Sequence, residues 1–136
     1  MRVLVLSFYY APDLCAGSFR ATAFVEELKK QIKLNDKVEI ITAMPNRYGS
    51  FSEDAKEIEK LAENIDINRI DLGNHKSGFI DQSKLFFKFA KEVFKLVKER
   101  DKYDIVYANS SRLMTAFLGS LISNKQKAKL YLDMRD

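Results

Sequence analysis

Short apolar runs rich in β-formers alternate with helix-period patterns along the whole chain. Five segments predict strands: residues 3–6, 37–43, 65–70, 103–108 and 128–133. The first run, VLVL, is apolar without interruption, which is typical of a strand that is buried on both faces of a parallel sheet. This alternation constrains the fold more than any other feature of the sequence.

The segments between the strands predict four helices. After Gly17 the apolar residues fall at helical spacings, and Ser18 is the predicted N-cap. Ser52 is predicted to cap an acidic first turn of a helix that runs to about Asn64. The strongest helical pattern covers residues 81–100, and a mostly apolar helix is predicted over 110–123.

Strands that alternate with helices at this spacing predict an α/β fold, a Rossmann-like parallel sheet flanked by helices. Function in such a sheet is expected at the carboxyl ends of the strands. The loops of interest are therefore residues 8–17, 44–51, 72–80, 109–111 and 133–136.

Length and composition narrow the class of protein. A chain of 136 residues is one domain long, and its net charge of +4 permits an anionic partner without selecting one. With only Cys15 and His75, a tetrahedral zinc site cannot form, and an intrachain disulfide is excluded. No segment approaches about 18 uninterrupted apolar residues and no secretory signal is evident. We therefore expect a cytoplasmic protein, or one attached to the inner face of the cytoplasmic membrane.

The turn YYAPDLCAGSFRAT joins the first predicted strand to the first predicted helix. Gly17, followed by Ser18 and Arg20, fits a diphosphate-binding turn, because a glycine lets backbone amides approach an anion at a helix N-terminus. The alternative is that Gly17 only relieves a tight turn. The dinucleotide and P-loop glycine motifs are both absent. Cys15 is interpreted as a small turn residue, and His75 as a solvated loop residue.

Several motifs then follow in a familiar order: MRVLVLSFYYAPD, AGSFRAT, KVEIITAMPNRYG, YDIVYANSS and LYLDMRD. In this order and spacing the chain resembles the N-terminal domain of a GT-B-fold, family 4 glycosyltransferase. The likeness spans nearly the whole chain and is closest to bacterial enzymes that build O-antigen, lipopolysaccharide, capsule or other surface glycans.

The resemblance implies retaining transfer of a sugar from a nucleotide-sugar to a glycan or polyprenyl-linked acceptor, with no metal or other cofactor. In this family the N-terminal domain mainly shapes the acceptor side. A C-terminal domain, which we expect to be absent from these 136 residues, holds most of the nucleotide and carries a glutamate pair. The chain is thus expected to be one acceptor-side domain, residues 1–136, that is inactive alone.

The resemblance also assigns roles to particular residues. The donor phosphate is expected to meet Ala16, Gly17 and Arg20. The acceptor-binding residues are expected to be Pro45, Asn46, Tyr48, Asn109 and Ser110. Arg135 and Asp136 match the motif that lies near the reacting sugar and are the predicted catalytic residues.

Lysines recur along one stripe of the long predicted helix, opposite its phenylalanine face. The stripe and its flanking aromatic residue comprise Lys84, Phe87, Lys88, Lys91, Lys95 and Lys98. Such a surface could rest on anionic lipid headgroups, and it could equally be a solvated helix face.

Two rival functions differ in class from a transferase. One is a non-catalytic Rossmann-like module that binds a nucleotide or docks to a partner chain. The other is nucleic-acid binding, which only the sequence pI of about 9.1 suggests and no motif supports. We therefore predict no nucleic-acid partner.

Overall fold

The computed structural model describes residues 1–12, 15–44, 57–72, 79–109 and 113–134, with only the backbone of residues 79–81. Six strands form one sheet in the order β3-β4-β2-β1-β5-β6. In chain order the elements are β1 (Arg2–Leu6), α1 (Ala16–Gln31), β2 (Lys37–Ala43), β3 (Ile58–Ala62), β4 (Ile65–Ile70), α2 (Phe79–Lys98), β5 (Ile105–Asn109), α3 (Leu113–Gln126) and β6 (Lys129–Asp133).

The sheet is parallel except at one edge. β1 pairs with β2 and β5, β2 with β4, and β5 with β6, all in parallel register. Among the strands that the structure describes, only β3 runs antiparallel, beside β4. The predicted Rossmann-like α/β architecture is therefore confirmed, with an antiparallel strand added at the edge.

Both faces of the central strand are buried, as its uninterrupted apolar sequence predicts. Val3 and Val5 belong to the core beneath α1. Leu4 and Leu6 belong to the core on the opposite face, beneath α2 and α3. Residues of one strand point alternately to the two faces, so a strand between two helical layers needs apolar side chains at every position.

The predicted helix over 52–64 is wrong for the part that the structure describes, residues 57–64. Residues 58–62 form β3, and a two-residue turn then leads into β4. The side-chain amide of Asn64 donates to the carbonyl oxygens of Lys33 and Asp36, at 3.0 and 2.9 Å. These contacts fix the hairpin turn beside the α1–β2 connection, and pairing with β4 overrides the helix propensity of the local sequence.

The predicted cap of α1 is also wrong. The helix begins at Ala16, two residues earlier than a Ser18 cap requires, and Cys15 occupies the N-cap position without a side-chain hydrogen bond. Ser18 instead lies within the first turn with its side chain buried. This shift brings Gly17 into the first turn of the helix.

Candidate functional site

The carboxyl ends of β1, β2, β4 and β5 lie at one edge of the sheet, because these strands are parallel. The chain after β1 crosses this edge and is held against it by backbone hydrogen bonds. The amide of Ala43 donates to the carbonyl of Phe8, at 3.3 Å, and the hydroxyl of Thr42 donates to the same oxygen. The end of β2 thus fixes the start of the turn that leads into α1.

Arg69 holds the next part of the same turn. Its guanidinium donates to the carbonyl oxygen of Ala11 at 2.9 Å and to the carboxylate of Glu59 at 2.8 Å. Tyr10 lies buried nearby, and burial raises the pKa of its hydroxyl to about 12. The sequence analysis did not select Arg69 as a functional residue. Its position inside the apolar strand pattern of residues 65–70 was an available signal, because a buried arginine needs a polar partner.

The first turn of α1 faces the carboxyl end of β5. The side-chain amide of Asn109, the last residue of β5, donates to the carbonyl oxygen of Gly17 at 3.3 Å. Both residues are buried. The hydrogen bond therefore brings together one residue predicted for the donor phosphate and one predicted for the acceptor.

The amides that open α1 are suited to an anion. The first bond within the helix runs from the amide of Phe19 to the carbonyl of Cys15, so the amides before Phe19 have no acceptor inside the helix. The first turn holds no acidic residue. Unpaired amides and the partial positive charge of a helix N-terminus favour phosphate or carboxylate oxygens.

Buried hydroxyls also lie near the starts of the helices that follow β1 and β5. The Oγ of Ser18 and the Oγ1 of Thr115 have no hydrogen-bond partner among the described residues. Each belongs to the first turn of a helix that follows one of the neighbouring strands β1 and β5. A buried hydroxyl without a partner is costly, which favours a ligand or solvent molecule within its reach.

Arg20 lies in the same stretch of α1 but is paired with an acid of the chain. Its guanidinium donates through two nitrogens to the carboxylate of Asp133, and Nε lies 3.0 Å from Oδ2. This hydrogen bond raises the pKa of the guanidinium above its ordinary value. The hydroxyl of Tyr107 donates to the same carboxylate at 2.8 Å. Arg20 is thus paired with Asp133, a residue of the loop of interest 133–136 to which the sequence analysis assigned no role.

An open groove of about 820 Å³ extends from this ion pair between α1 and β6. Phe24 stacks on Tyr107 along its wall, with ring centroids 3.8 Å apart and nearly parallel planes. Tyr131 and Leu132 of β6 also line the groove and are half-exposed. A largely apolar concavity with a few charged groups at its rim is typical of small-molecule binding sites.

The predicted lysine stripe lies on a different element, α2. Lys84, Lys88, Lys91 and Lys95 are exposed, and Phe87 beside them is 69% exposed. The opposite side of the helix packs Phe86, Phe89 and Val93 into the core, as the periodicity predicts. The Nζ of Lys88 donates to the carbonyl oxygen of Leu72 at 3.4 Å.

The remaining predicted site residues lie outside the described residues. They are Pro45, Asn46, Tyr48, Ser110, Arg135 and Asp136, and the same holds for His75. Within the described ranges, no three His, Cys, Asp or Glu side chains are grouped so that they could hold a metal ion. No helix in the described part of the chain is long and apolar enough to span a membrane.

Comparison with known proteins finds solved structures with a similar fold. No protein-family model matches the sequence, and no curated protein matches it. A sucrose-phosphate synthase from Thermosynechococcus elongatus has a similar structure, with a TM-score of 0.62 and 9% identity. The similarity covers 97% of this chain and 32% of the synthase, so the chain spans about a third of that protein's length.

A second similar structure is the C-terminal domain of a hydrogenase from Pyrococcus furiosus, with a TM-score of 0.56 and 11% identity. Here the similarity covers 98% of this chain and 91% of the other. At these identities both likenesses show a shared Rossmann-like fold, and function has to be argued from the site.

Proposed function

We propose that this chain is the acceptor-side, N-terminal domain of a retaining GT-B-fold glycosyltransferase of family 4, acting in cell-surface polysaccharide biosynthesis. It would transfer a sugar from a nucleotide-sugar to a glycan or lipid-linked acceptor. The observation that carries the proposal is the hydrogen bond from Asn109 to Gly17, because it joins the two turns that the motif order assigns to donor and acceptor. The fold shared with a sucrose-phosphate synthase supports it.

On the donor side, the diphosphate would accept hydrogen bonds from the amides that open α1. Ala16 and Gly17 supply backbone without bulky side chains there, so phosphate oxygens can approach closely. The buried hydroxyl of Ser18 is an additional donor that the described residues leave unused. Arg20 would add positive charge while its contact with Asp133 fixes its position.

On the acceptor side, the groove beside α1 offers an aromatic wall for a sugar or lipid-linked substrate. The stacked pair of Phe24 and Tyr107 supplies apolar surface, and the carboxylate of Asp133 can accept a hydrogen bond from a substrate hydroxyl. Pro45, Asn46, Tyr48 and Ser110 are proposed acceptor contacts as well. Arg135 and Asp136 are proposed to lie near the reacting sugar.

In this proposal a second domain would hold most of the nucleotide and the glutamate pair. The 136-residue chain would then bind a diphosphate weakly and transfer no sugar by itself. No metal takes part in the proposed reaction.

The first test measures diphosphate binding at the Asn109–Gly17 junction. In a ¹H–¹⁵N NMR titration with UDP-glucose, GDP-mannose and pyrophosphate, we expect saturable shifts of the Gly17 and Ser18 amides. Asn109→Ala should weaken binding by about 2- to 10-fold, because it removes one neutral hydrogen bond at the turn. Asn124→Ala, the same change at an exposed position of α3, is the matched control.

Two outcomes would contradict the proposal. One is saturation that leaves the α1 amides unmoved. The other is tighter binding of duplex DNA than of any nucleotide-sugar at the same ionic strength, since nucleic-acid affinity depends strongly on salt.

The second candidate is a non-catalytic binding module. It is favoured by the similarity to the hydrogenase domain, of which 91% is covered by this fold. Such a module would bind a nucleotide and the corresponding nucleotide-sugar with the same affinity. Equal affinities for UDP and UDP-glucose, together with no transfer after addition of a donor-binding domain, would favour it over the transferase.

We further propose that the α2 stripe contacts an anionic membrane surface. The triple change Lys88→Glu, Lys91→Glu and Lys95→Glu should reduce co-sedimentation with phosphatidylserine vesicles at least 100-fold. Each lysine near such a surface contributes about 1 kcal/mol, and reversal adds repulsion. Phe87→Ala should weaken binding by a smaller factor.

The control for the vesicle experiment reverses three exposed lysines elsewhere, Lys29, Lys30 and Lys125. It produces the same change in net charge without altering the α2 stripe. If both triple variants lose binding equally, the effect is one of net charge and the membrane-facing assignment of α2 is wrong.

A further inference from the structure

A polar cavity, separate from the groove beside β6, lies on the α2 side of the sheet, near the amino-terminal ends of β1 and β2. Its volume is about 310 Å³. It is lined mainly by charged and polar side chains: Arg2, Lys37, Glu39, Asp66, Asn68, Arg100 and Tyr103. None of these residues belongs to the turn of α1 or to the groove beside β6.

Glu39 is the buried acid of this cavity, and its carboxylate already has three donors. The side-chain amide of Asn68 donates to Oε2 at 2.6 Å, and Nε of Arg100 donates to the same oxygen at 3.0 Å. The hydroxyl of Tyr103 donates to Oε1. Burial, reinforced by this hydrogen bond, raises the pKa of the Tyr103 hydroxyl, which therefore remains a donor. The Glu39 carboxylate is therefore already satisfied within the chain and does not favour a cationic ligand.

The positive groups around the cavity retain unused donors. Nε of Arg2 is buried and has no hydrogen-bond partner among the described residues. The guanidinium carbon of Arg2 lies 5.3 Å from the ring centre of Tyr103, so the ring orients the group without satisfying its N–H. Arg100 engages Glu39 through Nε, and that contact does not use its terminal nitrogens. Lys37 extends from the first position of β2.

The charges favour an anion over a cation. Three cationic side chains meet two acids, and one of those acids, Glu39, is paired with Arg100. The other acid, Asp66, is exposed and therefore hydrated. A guanidinium group can donate two parallel hydrogen bonds. This geometry fits two oxygens of one phosphate or carboxylate group.

We propose that this cavity binds the phosphate group of a small anion, with the guanidinium groups of Arg2 and Arg100 and the ammonium of Lys37 as donors. A volume of about 310 Å³ is at the lower limit for ligand pockets, so the site accommodates free phosphate or a small phosphate ester. The site is separate from the proposed donor turn. Binding here is therefore independent of the proposed transferase function.

The test is an NMR titration of the chain with sodium phosphate, against sodium chloride at matched ionic strength. We expect saturable shifts of the Nε–Hε signals of Arg2 and Arg100 and of the Tyr103 amide. Arg2→Gln should weaken phosphate binding about tenfold, the loss expected for one charge-assisted hydrogen bond. Lys37→Gln should weaken it several-fold. Lys29→Gln, at an exposed position of α1, should leave it unchanged within twofold.

The same titration with glycerol phosphate distinguishes the two sources of the phosphate group. Tighter binding of the ester indicates a phosphorylated metabolite, and tighter binding of inorganic phosphate indicates the free ion; both support the site. Shifts that are linear in phosphate, or equal with chloride, overturn the proposal. So does an Arg2→Gln variant that keeps its amide spectrum and binds phosphate as tightly as the original chain.

Discussion

Replacement of Phe89 by alanine is expected to lower the free energy of unfolding by about 3–5 kcal/mol, the cost of removing a fully buried phenylalanine ring. Phe89 is 0% exposed in the core between α2 and the sheet. Its ring centre lies 5.0 Å from that of Phe8 and 6.3 Å from that of Phe86. The variant therefore loses aromatic contacts in addition to buried area, and it leaves a cavity that the sheet cannot close.

The matched control is Phe87→Ala, two residues away on the same helix. Phe87 is 69% exposed, so the same substitution should change stability by less than about 0.5 kcal/mol. In urea unfolding followed by circular dichroism, the midpoint for Phe89→Ala should fall by roughly 2 M. Equal midpoints for the two variants would mean that the buried and exposed faces of α2 are assigned wrongly.

Phe89 also connects the core to the candidate site. Phe8 lies two residues after the end of β1, and its carbonyl oxygen accepts hydrogen bonds from Ala43 and Thr42 at the start of the α1 turn. Loss of the Phe89 ring removes one wall of the Phe8 packing site. The Phe89→Ala variant should therefore show altered Gly17 amide shifts even where it remains folded.

The parts of the fold that periodicity specifies were predictable from the sequence. The run VLVL has apolar residues at consecutive positions, and only a strand between two packed layers buries them all. The helix of residues 79–98 follows from six apolar residues at helical spacing. These patterns depend on neighbouring residues alone, so no knowledge of tertiary structure is needed to interpret them.

β3 could not be predicted in the same way. Its sequence IEKLA contains good helix formers, and its burial pattern has no fully buried residue to reveal a strand. What makes it a strand is pairing with β4 across a turn that Asn64 ties to the carbonyls of Lys33 and Asp36. Those contacts join residues about 30 positions apart, and a local pattern carries no trace of them.

The candidate site also has contacts that the sequence predicts and contacts that it does not. Gly17 and Asn109 stand out because each follows an apolar strand pattern, and the hydrogen bond between them is a consequence of parallel neighbouring strands. The partners of Arg20 were hidden, since Asp133 lies 113 positions away. The role of Arg69 depends on the path of the chain over the carboxyl edge, which brings Ala11 to it. Long-range polar pairing is the part that sequence periodicity leaves undetermined.

A second large effect is expected at Gly119, where α3 packs against β5. A Cβ atom at this position would lie 2.6 Å from the Cβ of Ala108, well inside van der Waals contact. Ala108 belongs to a central strand and cannot move aside as a long side chain could. Gly119→Ala should therefore lower the free energy of unfolding by about 1–3 kcal/mol. The gain of up to about 1 kcal/mol in helix propensity is smaller than the cost of this overlap.

A double-mutant cycle isolates the steric cause. Ala108→Gly removes the opposing methyl group, so Gly119→Ala should cost at least about 1 kcal/mol less in that background than in the original chain, a coupling typical of residues in contact. Ser120→Ala is the control for helix propensity, because Ser120 is only half-buried on the neighbouring position of α3. Urea unfolding of all five chains gives the energies.

Since Ala108 directly precedes Asn109, the overlap should also displace the hydrogen bond from Asn109 to Gly17. If Gly119→Ala is instead as stable as the original chain, α3 packs farther from β5 than the structure indicates, and the position inferred for Asn109 fails with it.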